Sequence, residues 1–312
     1  MIGICVVTYN EEKYIAQCIE SALEQVCEEP YVIFIGEDCS TDSTLSICQK
    51  YVENNPQKIK LYARKQNLGL VKNTIDLLQE MQRAACDYIA MLDGDDYWID
   101  RHKLQKELDF LNKNKDYGLV HTQMHIMVND KLVQNFRKNI KCGDTFRYIG
   151  QSNAAIGNCT CMFRTELLNY CNLDDFITNQ FMSVDYVMYA IFAKYTKFGF
   201  LNDFTAVWRR GHASVSNPNN VEKQISYLQN DDRMWRYLGN LFPEQFYYDI
   251  KNATNYYNYR CFQIAYKAKD YKRAYQAIKD GFKVNSWKIY LKRIIVKTFY
   301  LLKCMYEKLK IQ

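Results

Sequence analysis

Apolar and polar positions along the first hundred residues alternate between two patterns. Short runs of apolar residues, IGICVVTY (2–9), YVIFIGE (31–37), IKLYAR (59–64) and DYIAMLD (87–93), read as strands buried on both faces. Between them, residues 13–26, 42–54 and 70–83 carry apolar residues at helical spacing. Strand and helix in alternation predict right-handed βαβ units and a parallel sheet, hence an α/β fold. Further on, 100–113 reads as an amphipathic helix. GLVHTQMHIMV and KLVQNF form a hairpin-like pair turned at Asn129-Asp130, and KFGFL and FTAVWRR a second strand pair. A helix is expected to start near Asp185, and beyond about residue 217 the pattern is helical and rich in tyrosine. AYKAKDYKRAYQAIKDGF resembles one paired-helix unit without a second copy.

Ligands of open parallel sheets bind beyond the carboxyl ends of the strands, so the residues after each apolar run are the informative ones. They are Thr8-Tyr9-Asn10-Glu11-Glu12, Glu37-Asp38-Cys39-Ser40-Thr41-Asp42, Lys65-Gln66-Asn67-Leu68-Gly69 and Asp93-Gly94-Asp95-Asp96. Taken singly, these are caps, turns and solvated bends. Three of the four strand ends carry carboxylates, however, and solvation alone does not gather acids at equivalent positions. Two acids one residue apart on a tight turn can share a hard divalent cation and ribose hydroxyls, with Gly94 allowing close backbone approach.

Composition narrows the function. The 312 residues are 48% hydrophobic and 24% charged, as in an ordinary globular protein. The longest run without Asp, Glu, Lys or Arg, residues 148–163, is too short and polar to span a bilayer as a helix. MIGICVVTYNEE is expected to be a first strand rather than an export leader. Twelve cysteines occur without a C-x-x-C pair, which predicts free thiols and a cytoplasmic setting. Cys159 and Cys161 are expected on one face of a strand, and the acceptor pattern Asn158-Cys-Thr160 is read as a chance match. His121 and His125 are read as core or cleft-wall residues.

The formal charge of +6 resides entirely in residues 286–312, which hold seven basic residues and one acid; the remainder carries 34 of each sign. A neutral body without a basic stripe argues against a nucleic-acid partner. Trp287, Leu291, Ile294, Leu302, Met305 and Leu309 recur at three- and four-residue steps opposite the basic residues, a cationic amphipathic helix suited to an anionic membrane surface. The chain lacks G-x-S-x-G, H-E-x-x-H and G-x-G-x-x-G, which removes the usual hydrolase and dehydrogenase readings. A sugar-phosphate nucleotidyltransferase would want a basic, Gly-rich first loop where TYNEE is acidic. A catalytically silent nucleotide- or glycan-binding module is the alternative from another class.

In order along the chain, VVTYNEEKYIAQCIESALEQ, IGEDCSTDST, RKQNLGLVKN, DYIAMLDGDDYW, Asp185 in SVDYVMY and VWRRGHASVS resemble the family 2 glycosyltransferases of the GT-A fold. The resemblance covers roughly residues 1–216. It implies a catalytic domain over 1–216, divided into a nucleotide-sugar half (1–98) and an acceptor half (99–216), followed by a helical region over 217–312. It also implies a nucleotide-sugar donor, a glycan or lipid-linked acceptor, Mn²⁺ or Mg²⁺, and inversion of the anomeric centre. By position, Thr8 and Tyr9 line the base pocket with Glu11 beside them, Asp38 accepts the imide N–H of a uracil, and Asp93 faces the ribose. Asp95 is then the metal ligand with Asp96 as alternate, His212 reaches the metal or diphosphate from a flap with Arg209 and Arg210, and Asp185 is the base. Lys72 and Asn73, at a helix start, are expected to face the donor. The second acid pair is Glu37-Asp38, and Val184 stands before the base where the family usually has an acid. The Q-x-x-R-W signature of processive members is absent, which implies one sugar per binding event. An enzyme of this kind acting on lipid-linked acceptors would sit at the inner face of the cell membrane.

Overall fold

The computed structural model describes residues 1–128, 131–134, 142–143, 156–210, 221–283 and 286–309. The chain divides into two compact units, Met1–His212 and Ala213–Gln312. In the first, β1 (Ile2–Thr8), α1 (Ile15–Leu23), β2 (Tyr31–Glu37), α2 (Thr44–Asn54), β3 (Ile59–Ala63), α3 (Leu70–Arg83) and β4 (Tyr88–Asp93) follow the alternation read from the sequence. Every residue of β1 is buried, as its unbroken apolar run requires. On α3 the buried positions Asn73, Thr74, Ile75, Leu77, Leu78 and Met81 recur at helical spacing.

Then come β5 (Tyr97–Trp98), α4 (Lys103–Lys113), β6 (Tyr117–Val128), β7 (Lys131–Gln134), a short 3₁₀ turn (Asn158–Thr160), β8 (Cys161–Arg164), α5 (Leu173–Thr178), α6 (Asp185–Tyr195) and β9 (Lys197–Arg210). The strands join one sheet in the order β3-β2-β1-β4-β8-β6-β9-β5, with β7 paired to β6. β3, β2, β1 and β4 are mutually parallel; β8 runs antiparallel to both β4 and β6. The aliphatic core gathers Ile2, Ile4, Val6, Ile19, Ile33, Leu92 and Leu104, all fully buried.

Two expectations change. KFGFL and FTAVWRR are one continuous strand, β9, because β6 offers it a parallel partner along its whole length. The polar Asn202-Asp203 step, read as a break, is absorbed by irregularities in the register around Gln123. Cys159 lies in the 3₁₀ turn rather than on the strand, so only Cys161 belongs to β8.

The second unit holds α7 (Val221–Leu241), α8 (Pro243–Lys267), α9 (Tyr271–Asp280) and α10 (Trp287–Leu309). Asp270 caps α9 by accepting from the Arg273 N–H. Its core includes Phe262, Ala265, Ala274, Ile278, Ile289 and Val296. Among the described residues, no helix is long and apolar enough to cross a membrane.

One charge pair sits deep behind the acidic loop. Lys103 and Glu107, both fully buried on α4, approach to 2.6 Å, with the ammonium 4.6 Å from the centre of the Trp98 ring. Glu107 Oε1 has no hydrogen-bond partner among the described residues. Burial pushes the Glu107 carboxyl up to about 7, against the pull of Lys103. The folded state thus holds this proton more tightly than the unfolded chain, so the group withdraws stability as pH rises from its ordinary value of 4.5 toward 7. Lys103→Met is expected to cost about 3–5 kcal/mol at pH 8 and less at pH 5, where Glu107 is protonated. The double variant Lys103→Met/Glu107→Leu should recover most of the loss; denaturant unfolding at the two pH values checks both statements.

Candidate active site

β1, β2 and β4 end level with one another. Thr8 pairs with Glu37 and Val7 with Asp93 in the parallel register, so the three following loops leave the same sheet edge. Their first residues are tied back to β1, Asp38 N donating to Thr8 O (3.0 Å) and Gly94 N to Val7 O (2.9 Å). Glycine is required at 94 because a Cβ there would stand 2.7 Å from Thr8 Cβ and 2.8 Å from its Oγ1. Asn10 (φ 56°) and Cys39 (φ 61°) both adopt the left-handed conformation just after β1 and β2. The two loops brace this strain mutually: Thr41 N donates to Asn10 Oδ1 (2.8 Å), Asn10 N to Ser40 Oγ (2.9 Å), and Glu11 N to Thr44 Oγ1 (2.8 Å).

Asp93, at the tip of β4, is the electrostatic centre of this edge. Burial, then the neighbouring charge of Asp95, push its carboxyl up to about 7; Asp185 and Glu11 push the same way, and an N–H from Asn158 opposes them. Asp93 thus lies in the field of carboxylates from its own loop, from the loop after β1 and from α6. Asp185 is the first residue of α6, following Val184 at the cap position. Burial raises its carboxyl, and hydrogen bonds from Ser183 and the Tyr186 amide hold it back.

Asp96 turns the other way. It is 1% exposed, and its Oδ1 accepts the Arg209 main-chain N–H at 2.9 Å. The Arg209 guanidinium donates to the Asp95 carbonyl and to Gln17 Oε1, and lies between the rings of Tyr14 (4.8 Å) and Tyr97 (4.5 Å). The end of β9 is thereby fastened to the acidic loop.

The remaining expected residues distribute as follows. Tyr9 is 43% exposed at the same edge. Asp38 is 3% exposed and accepts the Leu68 N–H (2.7 Å) and the Gly69 N–H (2.9 Å), one on each oxygen, so its carboxylate holds the turn that starts α3. Asn73 is buried and clasps Gly36 O and Arg64 Nε rather than facing outward. Lys72 pairs with Asp76 on the surface of α3. His212 lies outside the described residues. Arg210 stacks on Trp208 (4.9 Å). Asn158, Tyr189, Gln17 and Tyr97 were not singled out by the sequence, although each touches this edge or what holds it.

Among the described residues, no group of three or more His, Cys, Asp or Glu side chains is assembled as a metal cage. The donor set nonetheless suits a hard cation held by one or two carboxylates together with ligand phosphates, the usual manner of Mg²⁺ in nucleotide sites. The raised carboxyl of Asp93 has a measurable consequence. With the folded value above the ordinary 3.8, this group withdraws stability as pH rises from about 4 to 7. Asp95→Asn removes the nearest like charge, so the Asp93 midpoint should fall in a ¹³C carboxyl NMR titration. The Tm at pH 8 should rise by about 2–4 °C.

Comparisons with known proteins agree with this architecture. The profile of glycosyl transferase family 2 matches residues 3–171. The putative teichuronic acid biosynthesis glycosyltransferase TuaG of Bacillus subtilis is 32% identical over 111 residues, 36% of this chain and 42% of that protein. Matches to the curated relatives cover less than half of those proteins' own length. The crystal structure of S. aureus TarS 1-349 in complex with UDP superposes with TM-score 0.54 at 20% identity, over 81% of this chain and 70% of that one. The mannosyltransferase PcManGT of Pyrobaculum calidifontis, in complex with GDP-Man and Mn²⁺, gives 0.57 at 17% identity, over 96% and 79%. These two show the shared GT-A fold, a sheet flanked by helices. With the family profile spanning more than half of its length, the chain belongs to glycosyl transferase family 2.

Proposed function

We propose that this protein transfers one sugar from a nucleotide-diphosphate sugar to a hydroxyl of a glycan or lipid-linked acceptor during surface polysaccharide assembly, with inversion at the anomeric carbon. The observation that carries the reading is the place of Asp93, at the carboxyl end of β4 level with the ends of β1 and β2 and in the field of Asp95, Asp185 and Glu11. Such a gathering of like charge is unfavourable in the resting protein and becomes useful when a cation and a diphosphate enter. TarS with UDP and PcManGT with GDP-Man and Mn²⁺ support the donor class; the two differ in base, so uridine is a preference for this chain rather than a requirement.

In this reading the 1–216 domain does the chemistry. Thr8, Tyr9 and Glu11 border the base, the turn held by Asp38 closes that pocket, and Asp93 takes the ribose side. Asp95 would hold a divalent ion, Mn²⁺ or Mg²⁺, with Asp96 fixing the loop from within. Such an ion would supply Lewis-acid stabilisation of the departing diphosphate. The acceptor oxygen attacks the anomeric carbon from the face opposite the diphosphate, the carbon–oxygen bond to the diphosphate breaks, and its electron pair leaves with the diphosphate. Asp185 takes the acceptor's proton, a role suited to a buried carboxyl of raised proton affinity.

Calorimetric titration with UDP, GDP, TDP and CMP, in Mn²⁺ and in EDTA, tests this. One nucleoside diphosphate should bind in a Mn²⁺-dependent manner, Asp95→Ala should weaken it at least tenfold, and Asp185→Asn should leave it within about threefold, a difference of less than 1 kcal/mol. No nucleotide binding by the folded protein would favour the silent-module reading.

The membrane partner rests on α10. Its packed side presents Ile289 and Val296 to the second unit's core, with Arg293 over Phe282 (4.6 Å) and Lys292 over Tyr266 (5.2 Å). Leu291, Ile294, Ile295, Leu301 and Leu302 are all exposed, beside exposed Lys288, Lys292 and Lys297. An apolar strip flanked by lysines matches the interface of an anionic bilayer. The protein should sediment with phosphatidylglycerol vesicles at low salt and much less with neutral ones. Leu291→Ser/Ile295→Ser/Leu302→Ser should release it without loss of helix content, and undiminished sedimentation of that variant would refute the assignment.

A further inference from the structure

We infer that Asn158 and Tyr189 are positioning residues that orient Asp93 at the head of the loop carrying Asp95 and lock it to the helix carrying Asp185. The inference rests on the proposed function and extends it to two residues that touch no substrate themselves. Asn158 Nδ2 donates to Asp93 Oδ1 at 2.9 Å, and Tyr189 Oη donates to Asn158 Oδ1 at 2.8 Å. Tyr189 is 3% exposed and its oxygen also lies 2.9 Å from Cys161 Sγ on β8. Asp185 and Tyr189 are one helical turn apart on α6 and so share a face.

The direction of each bond follows from donor and acceptor chemistry. Asn158 turns its NH₂ to Asp93, a donor that favours the ionised carboxylate, which only accepts. The amide oxygen then points at Tyr189, whose hydroxyl proton it requires. Reversing the amide would place two oxygens against each other at the Asp93 end. Tyr189 therefore fixes the sense of the Asn158 amide, and Asn158 fixes the rotamer of Asp93. The 3₁₀ turn and β8 supply the rigid support, since β8 is hydrogen-bonded to both β4 and β6. Three segments, the end of β4, the turn before β8 and the first turns of α6, are joined through two side-chain bonds.

Asp93 heads the loop that would present Asp95 to the metal, whereas the residues proposed to border the base follow β1 and β2. Asn158→Leu should therefore weaken Mn²⁺-dependent binding of the preferred nucleoside diphosphate about tenfold, and Tyr189→Phe about threefold, in calorimetry on the full chain. Binding that remains in EDTA should be unchanged in both, and melting temperature should fall by no more than a few degrees. Because Tyr189 acts through Asn158, the double variant should be no weaker than Asn158→Leu alone. Wild-type Mn²⁺-dependent affinity in both single variants, equal losses with and without Mn²⁺, or additive losses in the double variant would each overturn the inference. Failure of the wild type to bind any nucleoside diphosphate is a different result, which removes the proposed function and this inference with it.

Discussion

Asp93 lies in the field of Asp95, Asp185 and Glu11, and the elements of the first unit near it bear on that repulsion. Like charges that share a field, partly shielded from water, raise each other's proton affinity and push their loops apart. A chain left to itself would relax by rotating the side chains outward or moving a loop. The parallel register prevents the second route, since Val7 and Asp93 are paired within the sheet and Gly94 N is bonded to Val7 O. Gly94 itself sits so close to Thr8 that the loop after β4 cannot shift toward β1.

Further restraint comes from residues distant in sequence. Arg209 grips the acidic loop by its backbone, donating to the Asp95 carbonyl, while its own N–H is accepted by Asp96. Its guanidinium is flattened between Tyr14 and Tyr97, which fixes the cation at little further entropic cost. Strain at Asn10 and Cys39 is likewise local and braced, by hydrogen bonds running both ways between the two loops. The edge combines left-handed non-glycine residues, buried acids and a stacked arginine, a concentration of unfavourable features that ordinary packing surfaces lack.

What could be read from the sequence was what periodicity and order encode. The βαβ half, the edge at which acids collect and the family all follow from runs such as IGICVVTY and DYIAMLDGDD, because each strand's burial is written within itself. The remainder depended on pairing between distant segments. Asn158 belongs to an N-C-T triplet that reads as a chance acceptor pattern. Only the antiparallel pairing of β4 with β8 brings it beside Asp93, 65 residues away. The Asn202-Asp203 step looks like a turn until β6 is there to pair across it. Asp38 shows the same limit in another way. Its place at a strand end was evident, but the Leu68 and Gly69 amides that engage it come from the loop after another strand.

A balance between stability and chemistry connects these observations. Groups whose proton affinity is raised by folding make the protein less stable as pH increases, and here Asp93, Asp185 and the buried Glu107 all shift that way. A fold selected for stability alone would replace them, as buried charge pairs commonly can be replaced by apolar residues without loss. Their clustering behind and along one edge is easier to understand if the unfavourable charge is offset when a cation-bearing, anionic ligand binds. The ligand then contributes most to stability where the resting protein is least comfortable. Under the proposed function the same field that destabilises the resting edge would favour the ligand-bound one, and the hydrogen bonds from Arg209 and Asn158 hold the loop and its carboxylates in place without removing the negative charge such a ligand would need.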